Sequence, residues 1–157
     1  MRTRRATEGD IDAIAEVLRR SFAEFERLYT RDGYAATTPD APRLRERWPE
    51  GPVWVALDGQ RIVGTIAAAV RGSGVYIRSM AVHPEARGHG AARGLMRQLE
   101  LFAISQSAPR LYLSSTPFLH DAIRLYVSLG FVRTGEPPHE LRGTPLVTME
   151  KKLERAR

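Results

Sequence analysis

Val75-Tyr76-Ile77-Arg78-Ser79-Met80-Ala81-Val82-His83-Pro84-Glu85-Ala86-Arg87-Gly88-His89-Gly90-Ala91-Ala92-Arg93-Gly94 joins an apolar run to a stretch rich in glycine and alanine. Residues 75–82 read as a strand. Beyond the glycines, Leu95, Met96, Leu99, Phe102 and Ala103 recur at helical spacing, and Leu111-Tyr112-Leu113 after Pro109 reads as a short buried strand. Strand, helix and strand in that order make a β-α-β crossover, which sets two strands parallel and is right-handed in nearly all cases. Gly88, Gly90, Ala91 and Ala92 carry almost no side chain, so a ligand can reach the backbone there. The first N–H groups of a helix lack internal partners and point out of its positive end. An anion at that point meets several donors, with Arg87 and Arg93 adding charge. The stretch reads as an anion cradle.

Working outward, Ile11, Ile14, Ala15, Leu18, Phe22 and Phe25 predict a helix over residues 8–27, after a short strand at 2–6. Thr7 and Asp10 have the spacing of a capping box at its start. Residues 29–52 are the least periodic part, with a short helix expected at 41–48. Strands at 53–57, 61–70 and 75–82 form an antiparallel meander, its first turn read at Asp58-Gly59 and its second at residues 71–74. A helix at 121–129 closes on Gly130-Phe131 as a left-handed cap, and a last strand lies at 146–152. The class is α/β (α+β): a mixed, mostly antiparallel sheet of about six or seven strands with one parallel crossover, flanked by about four helices.

A chain of 157 residues suits one domain over 1–157, and 43% hydrophobic with 27% charged residues is an ordinary globular balance. Cysteine is absent, which excludes disulfides, thiolate nucleophiles and Cys-containing zinc sites, and points to a reducing cytoplasm. The net charge of +6 comes from 24 Lys and Arg against 18 Asp and Glu. The cations are spread along the chain, without the clustering of Arg and exposed aromatics that nucleic acid requires, so no nucleic-acid partner is expected. No secretory segment is read at the basic start. The longest weakly polar run, 62–70, falls far short of the roughly 20 residues that cross a bilayer, so no membrane partner is expected. His83, His89, His120 and His139 are scattered without ligand spacing, so no metal is expected.

Two other phosphate cradles fail on their residues. The Walker pattern needs Gly-Lys-Ser/Thr where Arg93-Gly94-Leu95 stands, and the dinucleotide fingerprint fails at Arg93. The segment resembles instead the acetyl-CoA motif of the GNAT superfamily of N-acetyltransferases, Arg/Gln-x-x-Gly-x-Gly/Ala, with Arg87, Gly90 and Ala92 in those places. The run from Ala122 through Leu125-Tyr126 to Gly130-Phe131 resembles that family's second signature, Ala-x-x-Leu-Tyr-x-x-x-Gly-Phe. Order and spacing agree over roughly residues 2–153.

The resemblance implies acetyl-CoA as cosubstrate and a small-molecule or peptide amine as acceptor, with a homodimer left open. It implies that the backbone of Met80, Ala81 and Val82 takes the pantetheine arm. Residues Gly88, His89, Gly90, Ala91 and Ala92 take the pyrophosphate, with Arg87 and Arg93 beside it. Leu119 stands where the family often has Asn on the CoA arm, and Ser115, Thr116 or His120 is available to replace that contact. Tyr126 matches the tyrosine facing the CoA sulfur. Proton transfer from a phenol (pKa about 10) to a thiolate (about 8.5) is uphill by ~2 kcal/mol, so Tyr126 acts as a hydrogen-bond donor.

No base is legible: residues 75–82 hold no Glu, and Glu24, Glu26 and His120 are the candidates. Substrate choice is expected from residues 22–50 and 136–145, with Phe25, Tyr29, Tyr34 and Trp48 as an apolar wall and Asp32, Asp40 and Glu46 attracting a cationic amine. A non-catalytic CoA- or acyl-CoA-binding sensor is the alternative reading.

Overall fold

The computed structural model describes residues 1–154. Eight strands form a sheet: β1 (Arg2–Arg5), β2 (Val53–Asp58), β3 (Arg61–Arg71), β4 (Gly74–Val82), β5 (Arg110–Ser115), β6 (Val132–Arg133), β7 (His139–Leu141) and β8 (Thr144–Lys152). The order is β1-β2-β3-β4-β5-β8-β6, with β7 paired to β8. Every pairing is antiparallel except β4 with β5, the crossover expected from sequence. Five α-helices accompany it: α1 (Ile11–Phe22), α2 (Arg31–Thr37), α3 (Ala41–Arg47), α4 (Ala91–Ser105) and α5 (His120–Ser128).

Apolar periodicity decides which face each helix covers. Ile11, Ile14, Val17 and Leu18 of α1 pack with Leu44 of α3 against Val55 and Ala81. Leu95, Met96, Leu99 and Ala103 of α4 pack with Tyr126 of α5 over Ile66, Val75, Ile77, Leu111 and Met149. The sheet is thus buried on both faces, which is why β3 and β4 read as nearly continuous apolar runs.

The helix expected over 8–27 is α-helical only over Ile11–Phe22, with tight 3₁₀ turns at Glu8–Asp10 and Ala23–Leu28. The first hairpin turns on Gly59 and Gln60 rather than on Asp58-Gly59, because Asp58 already pairs with Arg61. Gly59 supplies the positive φ of 60° that a two-residue hairpin needs at its first position. Both α2 and β7 lie in stretches read as loop. Gly33 lets α2 approach the β7–β8 hairpin, since a Cβ there meets the Leu141 carbonyl at 2.9 Å. Thr30 N–H donates to Thr144 Oγ1 (2.9 Å) and Thr30 Oγ1 to the Arg142 carbonyl (2.8 Å), tying the two segments together.

The capping box is present: Thr7 N–H donates to Asp10 Oδ2 at 2.8 Å. The same carboxylate receives both terminal nitrogens of Arg4, at 2.7 and 3.0 Å. The Arg4 hydrogen bonds, with help from the Thr7 N–H, lower the Asp10 pKa to about 2 against the desolvation that opposes them. A depressed carboxylate stabilises the fold above its unfolded pKa near 4 and loses that contribution as pH falls towards 2. Asp10→Ala is expected to lower stability at pH 7 by about 1–2 kcal/mol, and by much less near pH 2. Chemical denaturation at both pH values checks this.

Candidate active site

β4 is the strand that builds the site. It pairs with β5 only through Val75, Tyr76 and Ile77, opposite Leu111, Tyr112 and Leu113. Beyond Ile77 the two strands part, although β4 stays on β3 as far as Val82 and β5 stays on β8 as far as Ser115. On β3, one residue (Ile66) spans the interval that Ser79 and Met80 span on β4, a β-bulge. Ser79 sits in the left-handed region (φ 54°), which a side chain adopts at some cost. The bulge falls where the strands separate, and leaves the β5-facing main chain of residues 78–82 without a strand neighbour.

Two cavities meet at this split. One, of about 680 Å³, runs from Met80 and Val82 to Gly88, Gly90 and Ala92 at the start of α4, with Phe25, Leu119 and Leu125 opposite. The other, of about 350 Å³, is lined by Tyr29, Thr37, Ser79, Thr116, Tyr126 and Leu146, among others. Phe22, Met80, Leu119 and Ala122 line both. A ligand lying along the first cavity therefore presents its end to the second.

The start of α4 has the form expected from small residues. Gly90 is its N-cap, in the left-handed region at φ 84°, and Gly88 has φ 83°. Open space lies where a Cβ of either would go. Met80, Ala81, Val82, Arg87, Gly88, Gly90, Ala91, Ala92 and Arg93 all line the first cavity. His89 does not: it borders a separate depression with Arg2, Asp58 and Gln60. Arg87 is turned back onto the end of α1, donating to Glu24 and to the Ser21 carbonyl (3.0 Å). Arg93 donates to Ser128 Oγ at 3.0 Å. Thr116 and Tyr126 stand in the second cavity.

A family model described as the acetyltransferase (GNAT) family matches residues 20–131. The chain belongs to the GNAT acetyltransferase family. The uncharacterised N-acetyltransferase YjgM of Escherichia coli is 35% identical over 138 residues, covering 82% of this chain and 80% of that protein. Human N-acetyltransferase 8B is 33% identical over 89 residues, covering 53% of this chain, which spans 39% of that relative's length. The PaiA N-acetyltransferase of Thermoplasma acidophilum, solved in complex with coenzyme A, shares the fold with a TM-score of 0.80 at 15% identity, covering 97% of this chain and 98% of that one. The protein is thus a GNAT acyltransferase. No described helix is long and apolar enough to cross a membrane.

In this acetyltransferase Tyr126 is 7% exposed, and its hydroxyl has no hydrogen-bond partner among the described residues. Burial drives the phenol well above its usual pKa, with smaller contributions from Tyr29 and Tyr76. Its ring rests against Phe131 at 5.8 Å between centroids. Tyr29, from the turn after α1, is buried beside Phe118 (4.8 Å, edge to face), and burial raises its phenol too.

The residues expected to choose the acceptor are not brought together. Asp40 caps α3, accepting from the Arg43 N–H at 3.1 Å, and neither Asp32 nor Glu46 lines the second cavity. Phe25 belongs to the first cavity and Trp48 to the α1–α3 core; of the expected aromatic wall, only Tyr29 lines the second. Glu24 is paired with Arg87, Glu26 lines neither cavity and His120 lines the first. The residues missed are Arg47, Arg71 and Arg78, all in the second cavity. The helical register of α3 carries a signal for Arg47, which follows buried Leu44 by three residues.

Thr116 Oγ1 is buried without a hydrogen-bond partner. A satisfied hydroxyl costs stability when deleted, whereas an orphan costs nothing. Thr116→Val is therefore expected to melt at the same temperature as the parent or above it in the absence of ligand. A fall of several degrees in a calorimetric scan refutes the orphan assignment.

Proposed function

We propose that this chain, as one domain over residues 1–157, moves an acetyl group from acetyl-CoA to a primary amine by direct attack, without an acyl-enzyme. The observation that carries the reading is the parting of β4 from β5, which leaves a free strand edge leading to the left-handed start of α4. One strand order running from Arg2 to Lys152 supports the single domain. The absence of cysteine rules out a cysteine acyl-enzyme and favours a cytoplasmic setting.

The residues suit the cosubstrate, which supplies the acyl group as an activated thioester. The main chain of Met80, Ala81 and Val82 offers an amide-bearing arm the bonds of a missing strand. N–H groups from Gly88 to Ala92 offer a diphosphate the positive end of α4, His89 contributing main chain alone. Arg93 is near enough to add charge, and Arg87 joins by exchanging Glu24 for the phosphate. In place of the family's Asn, we assign the CoA-arm contact to the orphan hydroxyl of Thr116. Tyr126 stands in the second cavity as a neutral phenol, suited to donating a hydrogen bond to charge that develops on the departing sulfur. Its raised pKa keeps the proton on oxygen, so the thiolate takes its proton from water.

Isothermal calorimetry with coenzyme A, followed by a thiol-reagent assay of released CoA over a panel of amines, tests the whole reading. Absence of heat overturns it. Binding without turnover of any amine transfers the chain to the sensor class. Tyr126→Phe is expected to lower kcat about 10- to 100-fold with the melting temperature unchanged, and unaltered turnover removes Tyr126 from the mechanism.

No carboxylate or imidazole lines the acceptor cavity among the described residues, so the amine sheds its proton to water. The rising limb of kcat/KM is then set by the amine's own pKa, about 8 for an α-amino group and about 10.4 for a lysine side chain. The raised Tyr126 pKa puts no falling limb at or below pH 10. A limb near pH 6–7 that stays put when the amine is changed contradicts this.

A further inference from the structure

The acceptor cavity carries charge of one sign. Arg47 from α3, Arg71 from the end of β3 and Arg78 from β4 line it, and among the described residues no Asp, Glu or His does. None of the three lines the cavity of Gly88 and Gly90, so they are not counterions for a diphosphate at the start of α4. One acid answers them directly: Glu50 is ion-paired with Arg78. The Arg78 hydrogen bond holds the Glu50 carboxyl below its usual range, with Arg47 and Arg71 adding to the effect. Glu136 lies across a neighbouring depression that shares Arg71 and Tyr76.

Arg71 places its guanidinium carbon 4.3 Å from the centroid of the Tyr76 ring, a stacked position that keeps its N–H edge free of that ring. Arg47 is half-buried and has no ion-pair partner among the described residues. Burial first, and then Arg78 and Arg43, pull its pKa below the ordinary arginine value, against a smaller opposing effect of Glu50 and Tyr76. A desolvated guanidinium among like charges is unfavourable unless an anion arrives to offset it. The opposite wall is apolar, built from Phe22, Tyr29, Ala36, Leu141 and Leu146.

The geometry points to an acceptor that is a primary amine with an apolar body and an anionic oxygen group, carboxylate or phosphate, gripped by Arg47 with Arg71 and Arg78. This rests on the acetyltransferase reading and specifies its substrate class. Guanidinium forks match both anions in two-pronged fashion, whereas a polyamine brings further ammonium groups against three arginines.

Calorimetry of acetylated products on the protein–CoA complex tests this apart from turnover. The probes are N-acetylphenylalanine with its carboxamide, N-acetyl-2-aminoethyl phosphate with N-acetylethanolamine, and N-acetylspermidine. In at least one pair the anionic member is expected to bind about tenfold or more tightly than its neutral match, and the pair that does so identifies the anion. Arg47→Gln is expected to erase the preference with coenzyme A affinity intact. Arg71→Gln, at an exposed position, is expected to weaken it and guards against a folding artefact. Equal binding within both pairs, no binding of either anionic member at millimolar concentration, or tightest binding of N-acetylspermidine overturns the inference. If coenzyme A itself does not bind, the acetyltransferase reading fails, and the same series on the free protein still decides the charge preference.

Discussion

β4 cannot satisfy both of its neighbours, and the site depends on that conflict. After three rungs with β5, the strand bulges at Ser79 and Met80, which increases its local twist and turns it off the common plane. Continued pairing holds the gap open from both sides: Val82 remains opposite Gly64, and Ser115 remains opposite Val147. Main-chain groups in the gap lose their strand partners, and buried groups of this kind are costly unless something completes them. A ligand with its own amides, entering as a substitute strand, recovers those bonds. The crossover then places the left-handed start of α4 beside the gap, and residues of β4, α4 and α5 line one groove.

The second sequence signature describes how a helix stops. The Phe131 N–H donates to the Tyr126 carbonyl at 3.0 Å and the Gly130 N–H to the Val127 carbonyl at 3.1 Å, the paired bonds of a Schellman cap. Gly130 supplies the left-handed residue at φ 97°. Phe131 is thereby folded back, 1% exposed, against the ring of Tyr126. The glycine and the phenylalanine therefore fix the ring of Tyr126, which lines the second cavity. A helix end of this kind holds the ring by packing.

Elements with strong periodicity were legible because their burial follows from local spacing: α1, α4, the β2–β3–β4 meander and the β4–α4–β5 crossover. The open, left-handed start of α4 was legible for a related reason, since it needs only residues small enough to expose the main chain. What escaped depends on contacts distant in the chain. α2 is seven residues with a central glycine, and its own propensity is poor; Thr30, Thr144 and the close approach at Gly33 hold it against the β7–β8 hairpin. β7 is three residues long and exists as the partner of β8. His89 sits inside the glycine motif by sequence yet faces the other way, because the left-handed glycines on either side reverse the chain around it.

The charge of the second cavity shows the same division between residue type and residue phase. Composition around α3 offers Asp40 and Glu46 as attractors for a cation, but Asp40 lies at the N-cap, where its carboxylate answers the Arg43 N–H. Leu44 fixes the inward face of α3. Three residues on, about 300° around a helix of 3.6 residues per turn, Arg47 returns towards that face, while Glu46, two residues on and about 200° around, is directed away. The acid that pairs with a cavity residue is Glu50, held by Arg78 at the rim of the site. The Arg78 pair leaves Arg47 and Arg71 without an ion-pair partner among the described residues, although both still feel the Glu50 charge. The cavity is cationic because helical phase and capping dispose of the acids before a substrate arrives.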